Sequence, residues 1–519
     1  MAFDWRSLFG GGPRYVTIAS TQQSGGGGVA GPDTKSVDVE CMQHKWELID
    51  VVLEGHDAIK RCGKRFLPRF EREPDEKYKR RLHDAPWRPI MNDALENITS
   101  RPFTSPVTLA GNPDPRMVEF AEDVDGQGNS LNVFARNTFD QAVSKGVTVF
   151  YVDYSRNVPR ADGRAKSLTE ERDQGIRPFW VHIPVCELID VRTAFVRGRE
   201  IVTHARWWEH PKVADGFSET CIPQIRVVEI KDDGRVWWTV WQQQGGGDFA
   251  QADSGILSAM DEVPIVRVFT GKKKGVIENQ PWSYDLCHVA LEYYRSLARQ
   301  TEIENMSGWP MLAGQGILKP TDGDEVVIGP HTVLFAPPID GSSSKWELIG
   351  PDAALVEQIG KGPERVLDAF SKLAKEPTIP KAGVTATASG MDNSRAHSAI
   401  EAWAGNLKNG LDEGLAFTAK WLGIADNVTA SVSTDFAALT GSADEAKIIG
   451  DAQKRKVVSA KTERAELKRR GILGPDFKEE DEEVRLAEEQ SNDTLTPEAQ
   501  MDPVTGDVIP FQRAAEGVI

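Results

Sequence analysis

Apolar positions along the chain fall into blocks of different period. Trp46, Ile49, Val52 and Leu53 recur at three- and four-residue steps from Ser36 onward, and a second such segment covers 86–100, so both read as amphipathic helices. The run LPRFEREPDEKYKRRLHDAPW between them is flanked by Pro68, Pro74 and Pro86. It predicts a solvated loop plus a short helix, because Glu71, Glu73, Asp75 and Glu76 offset its Arg and Lys. A helix at 130–145 leads into KGVTVFYVDY, a buried strand by its β-branched and aromatic content, and strand signals dominate from there to 270. Asp232-Asp233-Gly234 reads as the turn of an antiparallel hairpin. Trp207 and Trp208, then Trp237, Trp238 and Trp241, could stack bases. Strand periodicity sends one of each adjacent pair inward, so packing is the expected role.

The period changes at 283. Leu286, Ala290, Tyr293 and Leu297, with Leu291, Tyr294 and Ala298 beside them, predict one long helix over 283–307. Ser283 is its expected N-cap, Gly308 and Pro310 its stop, and Glu292, Arg295, Arg299, Glu302 and Glu304 its charged face. Residues 309–350 predict a small β unit from PMLAGQGIL, EVVIGPHTVLFAPP and KWELIG. A helical region follows from Asp352 to about Ala374, in which Gly360, Gly362 and Pro363 predict a kink or two shorter helices. The segment 375–394, rich in Gly, Ala, Thr and Pro, predicts an exposed mobile loop. Ala399, Trp403, Leu407, Leu411 and Leu415 predict a helix from about Arg395 to Leu422, and NVTASVSTDF is strand-like. Two helices at 442–470 and 476–490 then follow, joined by RRGILGPDF with Gly471 as C-cap. The ends, 1–36 with its Gly run at 25–28 and the polar 491–519, are expected to be flexible arms.

Composition narrows the function. With 519 residues, 40% of them hydrophobic, and 14 Trp, 20 Phe and 7 Tyr, the chain can build real cores and is not a disordered protein. Its 61 basic against 78 acidic side chains leave a net charge of −17, which argues against a freestanding basic nucleic-acid binder but not against DNA that only passes by. Cys41, Cys62, Cys186, Cys221 and Cys287 are odd in number and lack C-x-x-C spacing, so neither a disulfide framework nor a zinc ribbon is indicated. No stretch approaches the ~18–20 apolar residues of a membrane span, and MAFDWRSLFGGG does not read as a signal peptide, so assembly in a cytoplasm is expected.

Catalytic motifs are missing. Gly271-Lys272-Lys273-Lys274-Gly275 lacks the spacing and the Ser or Thr of a phosphate loop, and reads as a strand-to-helix connection. There is no G-x-S-x-G elbow and no H-E-x-x-H. His83, His204, His210, His288 and His397 are read as structural residues rather than metal ligands, and no cofactor is implied.

In element order the chain resembles the portal proteins of tailed bacteriophages. The similar blocks are LPRFEREPDEKYKRRLHDAPWRPIMNDALENITSRPF, PWSYDLCHVALEYYRSLARQTEIENMSGWPML, IGPHTVLFAPP, KWELIGPDAALVEQIGKGPERVLDAF and KRRGILGPDFKEEDEEVRLAEE, which together cover roughly residues 40–490. The resemblance implies an α+β, portal-like fold. Residues 37–280 would form an α/β wing and 281–308 a first stem helix. A small β-containing clip at 309–350 and a second stem helix at 351–374 would follow. The remainder would be a tunnel loop at 375–394 with Gly383, Thr385, Thr387 and Gly390, a long helix returning to the wing at 395–440, and a helical crown at 441–490. It further implies a non-enzymatic subunit of a ring, typically of twelve, at one capsid vertex in the virion. Double-stranded DNA would be packaged and ejected through its channel. Its partners would be other copies of itself, the terminase large subunit, the major capsid or scaffolding protein and a head–tail adaptor, with no membrane involved. Lys375, Lys381, Arg295 and Arg299 are the candidates for proximity to DNA, an intersubunit salt bridge or solvated face being the alternative for each. The acidic balance implies a mainly negative channel that favours sliding over adhesion. The competing readings are another virion structural protein, an adaptor or minor capsid component, and a DNA-processing hydrolase.

Overall fold

The structure, a computed structural model, describes residues 31–155, 175–244, 248–307, 311–315, 333–336, 345–349, 353–374, 386–425, 428–433 and 443–469, together with 473, 477 and 481–487. It is mixed helix and sheet, an α+β protein, and divides into two units, Met1–Thr434 and Asp435–Ile519.

The first unit opens with α1 (Val37–Glu54), α2 (His56–Cys62), α3 (Asp75–Asp84) and α4 (Ile90–Ser100), then β1 (Thr108–Ala110), α5 (Pro115–Glu122) and α6 (Leu131–Lys145). Strands β2 (Val147–Tyr154), β3 (Pro178–Ile183), β4 (Leu188–Val196), β5 (Arg199–Glu209), β6 (Lys212–Asp215), β7 (Ser218–Cys221), β8 (Gln224–Ile230), β9 (Val236–Gln243), β10 (Phe249–Ile256), β11 (Ile265–Phe269), β12 (Lys272–Lys273) and β13 (Asn279–Gln280) follow. Next come α7 (Trp282–Ser307), β14 (Met311–Gln315), β15 (Val333–Ala336), β16 (Lys345–Ile349), α8 (Ala353–Leu373), α9 (Ala386–Leu422) and β17 (Thr429–Ser431). Two antiparallel sheets dominate, of strand order β10-β9-β8-β5-β4 and β11-β2-β3. The turn of α6 into β2 needs Gly146, whose φ of +80° and contact with Asn279 and Pro281 leave no room for a side chain.

Helix α9 lies across β11-β2-β3, and its glycines set the distance. A Cβ at Gly414 would sit 2.8 Å from Phe150 Cε2 and 3.0 Å from Trp180 Cζ2, and one at Gly410 would meet Val268. Phe150 and Trp180 stack at 5.0 Å, with Phe120 and Phe134 edge-on. Trp180 Nε1 donates to Thr418 Oγ1 (2.9 Å), so the indole is buried without an orphaned donor. The tryptophans of the large sheet pack as expected. Trp207 is buried against Tyr151, Trp208 and Trp241 cover Ile189, Ile225 and Val227, and Trp238 fills the space over Gly255. The Asp232-Asp233-Gly234 turn joins β8 to β9.

Several expectations are corrected. Residues 31–36, expected as part of a flexible arm, are held: Arg206 donates to the carbonyls of Pro32 (3.1 Å) and Thr34 (3.0 Å), and Ser36 N donates to Ile189 O, which ties this stretch to the sheet, while residues 1–30 lie outside the described residues. Ser283 is not an N-cap. It lies inside the first turn of α7 and donates to the Ser144 carbonyl, so its hydroxyl serves tertiary packing. The triple-lysine segment forms the β12–β13 hairpin rather than a plain connection. Helix α8 runs unbroken through Gly360–Pro363, because Pro363 is buried and Gly362 lets α7 approach its Ser296, so packing offsets the missing hydrogen bond. The loop expected over 375–394 gives way to α9 at Ala386. ATASGMDN consists mostly of weak helix formers and carries no apolar period of its own, and α9 runs through it without interruption into the segment whose buried stripe begins at Ile400.

The second unit contains α10 (Ala443–Lys454), α11 (Ala460–Arg469) and a helical turn at 481–487. The single helix expected over 442–470 is broken where Lys456 takes a φ of +57° and Ser459 Oγ caps the next helix through Thr462 N (3.1 Å). Gly471, expected as a C-cap, is outside the described residues.

The charged segment before α4 holds an ion pair that its composition conceals. Arg81 grips Glu73 through Nε–Oε1 and Nη2–Oε2, both 2.8 Å, with each side chain only 8% exposed, and stacks over Phe70 at 4.4 Å. The hydrogen bond from Arg81 holds the Glu73 carboxyl below its ordinary range.

Replacing Gly414 by Ala should lower the unfolding free energy by about 1–3 kcal/mol through overpacking, read by urea denaturation. Gly405→Ala on the same helix, where nothing lies within 4 Å, should raise it by about 0.5–1 kcal/mol. A lowered folded-state pKa makes the Glu73 contribution fully present above the carboxyl's ordinary pKa and lost as pH falls through the lowered value. Glu73→Gln should therefore be less stable than wild type at pH 7, with the gap narrowing as pH is taken from 5 toward 3 in parallel urea titrations.

Candidate functional site

Exposed charged residues run along α7 and α8. Two adjacent rows of apolar residues on α7, Leu286, Ala290, Tyr293 and Leu297 beside Cys287, Leu291, Tyr294 and Ala298, are buried, as their spacing requires. Leu286, Cys287, Ala290, Leu291, Tyr294 and Ala298 share a core with Ile49 and Val52 of α1, Ile59 of α2, Met91 and Ala94 of α4, and Phe370 and Ala374 from the end of α8. Trp87 meets the Tyr294 ring edge-on at 5.7 Å, and Trp282 meets Trp403 of α9 at 6.0 Å. Burial pushes the Tyr294 phenol and the Cys287 thiol each up to about 12, so neither is a nucleophile at neutral pH. Among the described residues no group of three or more His, Cys, Asp or Glu side chains is placed to hold a metal ion, and no described helix is long and apolar enough to cross a membrane.

The relation of the two helices follows from the sheet at their shared end. Strand β14 lies between β15, to which it is parallel, and β16, to which it is antiparallel, with Met311 opposite Ile349. Three residues separate Ser307 from Met311 and three separate Ile349 from Ala353, so the chain leaves α7 and enters α8 at one end. The helices are therefore antiparallel. Their closest marked approach is Gly362, whose Cβ would stand 3.1 Å from Ser296 Oγ. Leu312 and Trp346 of the small sheet are both exposed.

Outside the core the pair is charged. Asp285, His288, Glu292 and Arg299 are exposed on α7; Glu357, Lys361, Glu364, Arg365, Asp368 and Lys372 are exposed on α8, where Lys361 pairs with Glu357 at 2.6 Å. Of the residues expected near DNA, Arg299 is on this exposed face. Arg295 is half-buried and donates through Nε to the Phe66 carbonyl (2.7 Å), fixing the segment before α3 against α7. Lys375, Lys381, Gly383 and Thr385 are outside the described residues, while Thr387 and Gly390 lie in the first turns of α9. The structure thus does not bring the candidates together. The sequence reading passed over Lys361, Arg365 and Lys372 because it followed only the apolar positions of that helix; their steps of four and seven opposite Phe370 were the available signal.

The histidines are accounted for locally. His83 meets Asp84 (3.0 Å), His204 meets Glu229 (3.2 Å), His210 meets Glu187 (3.1 Å) and His288 sits edge-on to Tyr284; the side chain of His397 is outside the described residues.

A protein-family profile described as a domain of unknown function, DUF4055, matches residues 284–422, from α7 to the end of α9. No curated protein matches the chain. Similar solved structures include a chain of the neck of a native gene transfer agent particle computed with C12 symmetry. It is 11% identical, the match covers 72% of this chain and 88% of that one, and the TM-score is 0.34. A second is a chain of the virion of a native gene transfer agent particle, 12% identical over 83% of this chain and 98% of that one, with a TM-score of 0.36. At these scores the likeness assigns no fold.

Proposed function

We propose that this chain is a ring-forming portal subunit of a tailed-phage-type particle, through which double-stranded DNA is packaged and released, with ATP hydrolysis supplied by a separate terminase. The observation that carries the reading is the antiparallel α7–α8 pair: one side is buried in the helical body, the outer sides are charged along their length, and a three-stranded sheet closes the far end. A helix pair of this kind suits side-by-side repetition around an axis, because each copy keeps a polar face for its neighbour and another for the channel.

In this reading residues 37–280 with α9 make the wing, α7 and α8 the stem, and 309–350 the clip that meets the motor and the tail connector. The tunnel loop is confined to 375–385, and 441–490 make the crown inside the capsid. Helix α9, 37 residues long, returns the chain across the β11-β2-β3 sheet. Stem and wing are thereby held by one element on either side of the loop.

Negative-stain imaging and mass photometry of the purified chain should show rings with an axial hole. A monomer that persists at micromolar concentration would overturn the ring. Metal-dependent cleavage of DNA by the pure protein would favour the hydrolase reading instead.

A further inference from the structure

Among the exposed charged side chains of the helix pair that form no ion pair with another described residue are Asp285, Glu292 and Arg299 on α7, and Glu364, Arg365 and Lys372 on α8. Asp285, Glu292 and Arg299 are each seven residues apart, so they fall along one nearly straight ridge. Arg365 and Lys372 are also seven apart, and they lie on the side of α8 opposite the buried Pro363, Phe370 and Ala374. Each helix therefore presents a heptad line of charge that its own chain does not use.

The heights of these residues correspond. Gly362 and Ser296 are level, and the helices run in opposite directions at the same ~1.5 Å rise. Lys372 lies ten residues past Gly362, level with the position ten before Ser296, which is Leu286, one residue from Asp285. Arg365, three past Gly362, is level with Tyr293, next to Glu292. Glu357, five before Gly362, is level with Thr301, two residues from Arg299. At Lys372 and Arg365 a cation on α8 stands within one residue of the height of an anion on α7, while Glu357 is already held by Lys361 of its own helix.

We propose that a second copy of this chain lays its α7 ridge against the α8 ridge of the first, so that Lys372 and Arg365 of one copy meet Asp285 and Glu292 of the next. The proposal rests on the ring reading above, because rotation about an axis parallel to the helix pair is what keeps each residue at its own height. The contact is heterologous, leaving an open α7 ridge on one copy and an open α8 ridge on the other, so it propagates and closes as a ring. A DNA backbone is the competing occupant of the α8 ridge. Glu357, Glu364 and Asp368 stand among its cations and would repel phosphates, whereas Asp285 and Glu292 of α7 complement Lys372 and Arg365.

Two double variants test the pairing. D285K/E292K reverses the α7 ridge and R365E/K372E reverses the α8 ridge, so that either variant alone sets like charges across every junction. Each should raise the protein concentration for half-assembly about tenfold or more, read by mass photometry. Mixing equal amounts of the two should restore assembly, because alternating copies again oppose cation to anion; a purely structural fault in either variant would not be repaired this way. Wild-type chain that never oligomerises overturns the ring and the pairing with it. Wild-type rings with both variants unchanged overturn the pairing alone, as does a mixture no better than its components. Should a reversal lower the melting temperature, D285N/E292Q and R365Q/K372Q replace the reversed pairs: loss of the salt dependence of assembly supports the pairing, and an unchanged salt dependence overturns it.

Discussion

The rest of the first unit depends on the burial of two adjacent rows of side chains on α7. A single apolar row would dock a helix on one neighbour; two rows oblige α7 to sit in a trough, and α1, α2, α4 and the end of α8 supply its walls. Ser283 secures the start of the helix to the Ser144 carbonyl, and Arg295 secures its middle to the Phe66 carbonyl. Once the trough is filled, Asp285, His288, Glu292 and Arg299 remain outside along one face. The position of α8 then follows, because Phe370 and Ala374 must close the same core while Gly362 passes Ser296.

Charge is handled in two ways. Inside the body it is consumed locally: Arg81 with Glu73, Lys145 with Asp50, Arg206 with Asp190, and Arg226 with Glu209 are each held by hydrogen bonds, so none of these groups is left as an isolated charge. Along the α7–α8 pair several charges stay exposed, and such groups contribute little to the stability of one chain.

Much of the element order was legible because it rests on local period. The helices around Trp46, Leu286 and Trp403, the strand KGVTVFYVDY and the Asp232-Asp233-Gly234 hairpin all occur where apolar spacing or turn chemistry placed them. The misreadings share a cause. Pro363 and the glycines beside it are local breakers that tertiary burial overrides, and ATASGMDN combines weak helix formers with no apolar stripe by which a helix is recognised. The break at Lys456 and Ser459 went unseen because a left-handed residue followed by a Ser cap interrupts the backbone without interrupting composition.

The candidate site was legible only in part. The sequence by itself determined that α7 has a charged face opposite its apolar rows, since 3.6 residues per turn sort side chains within one helix. It could not decide which of those charges stays open. Arg295 and Arg299 are one helical turn apart and look alike in the sequence, yet one is bonded to a carbonyl 229 positions away and the other faces outward. The level match of Arg365 with Glu292 and of Lys372 with Asp285 depends in the same way on the register of two antiparallel helices, set where Gly362 passes Ser296. Periodicity carries information over a few turns of one element; which groups meet across elements is decided by packing, and that exists only in the folded chain.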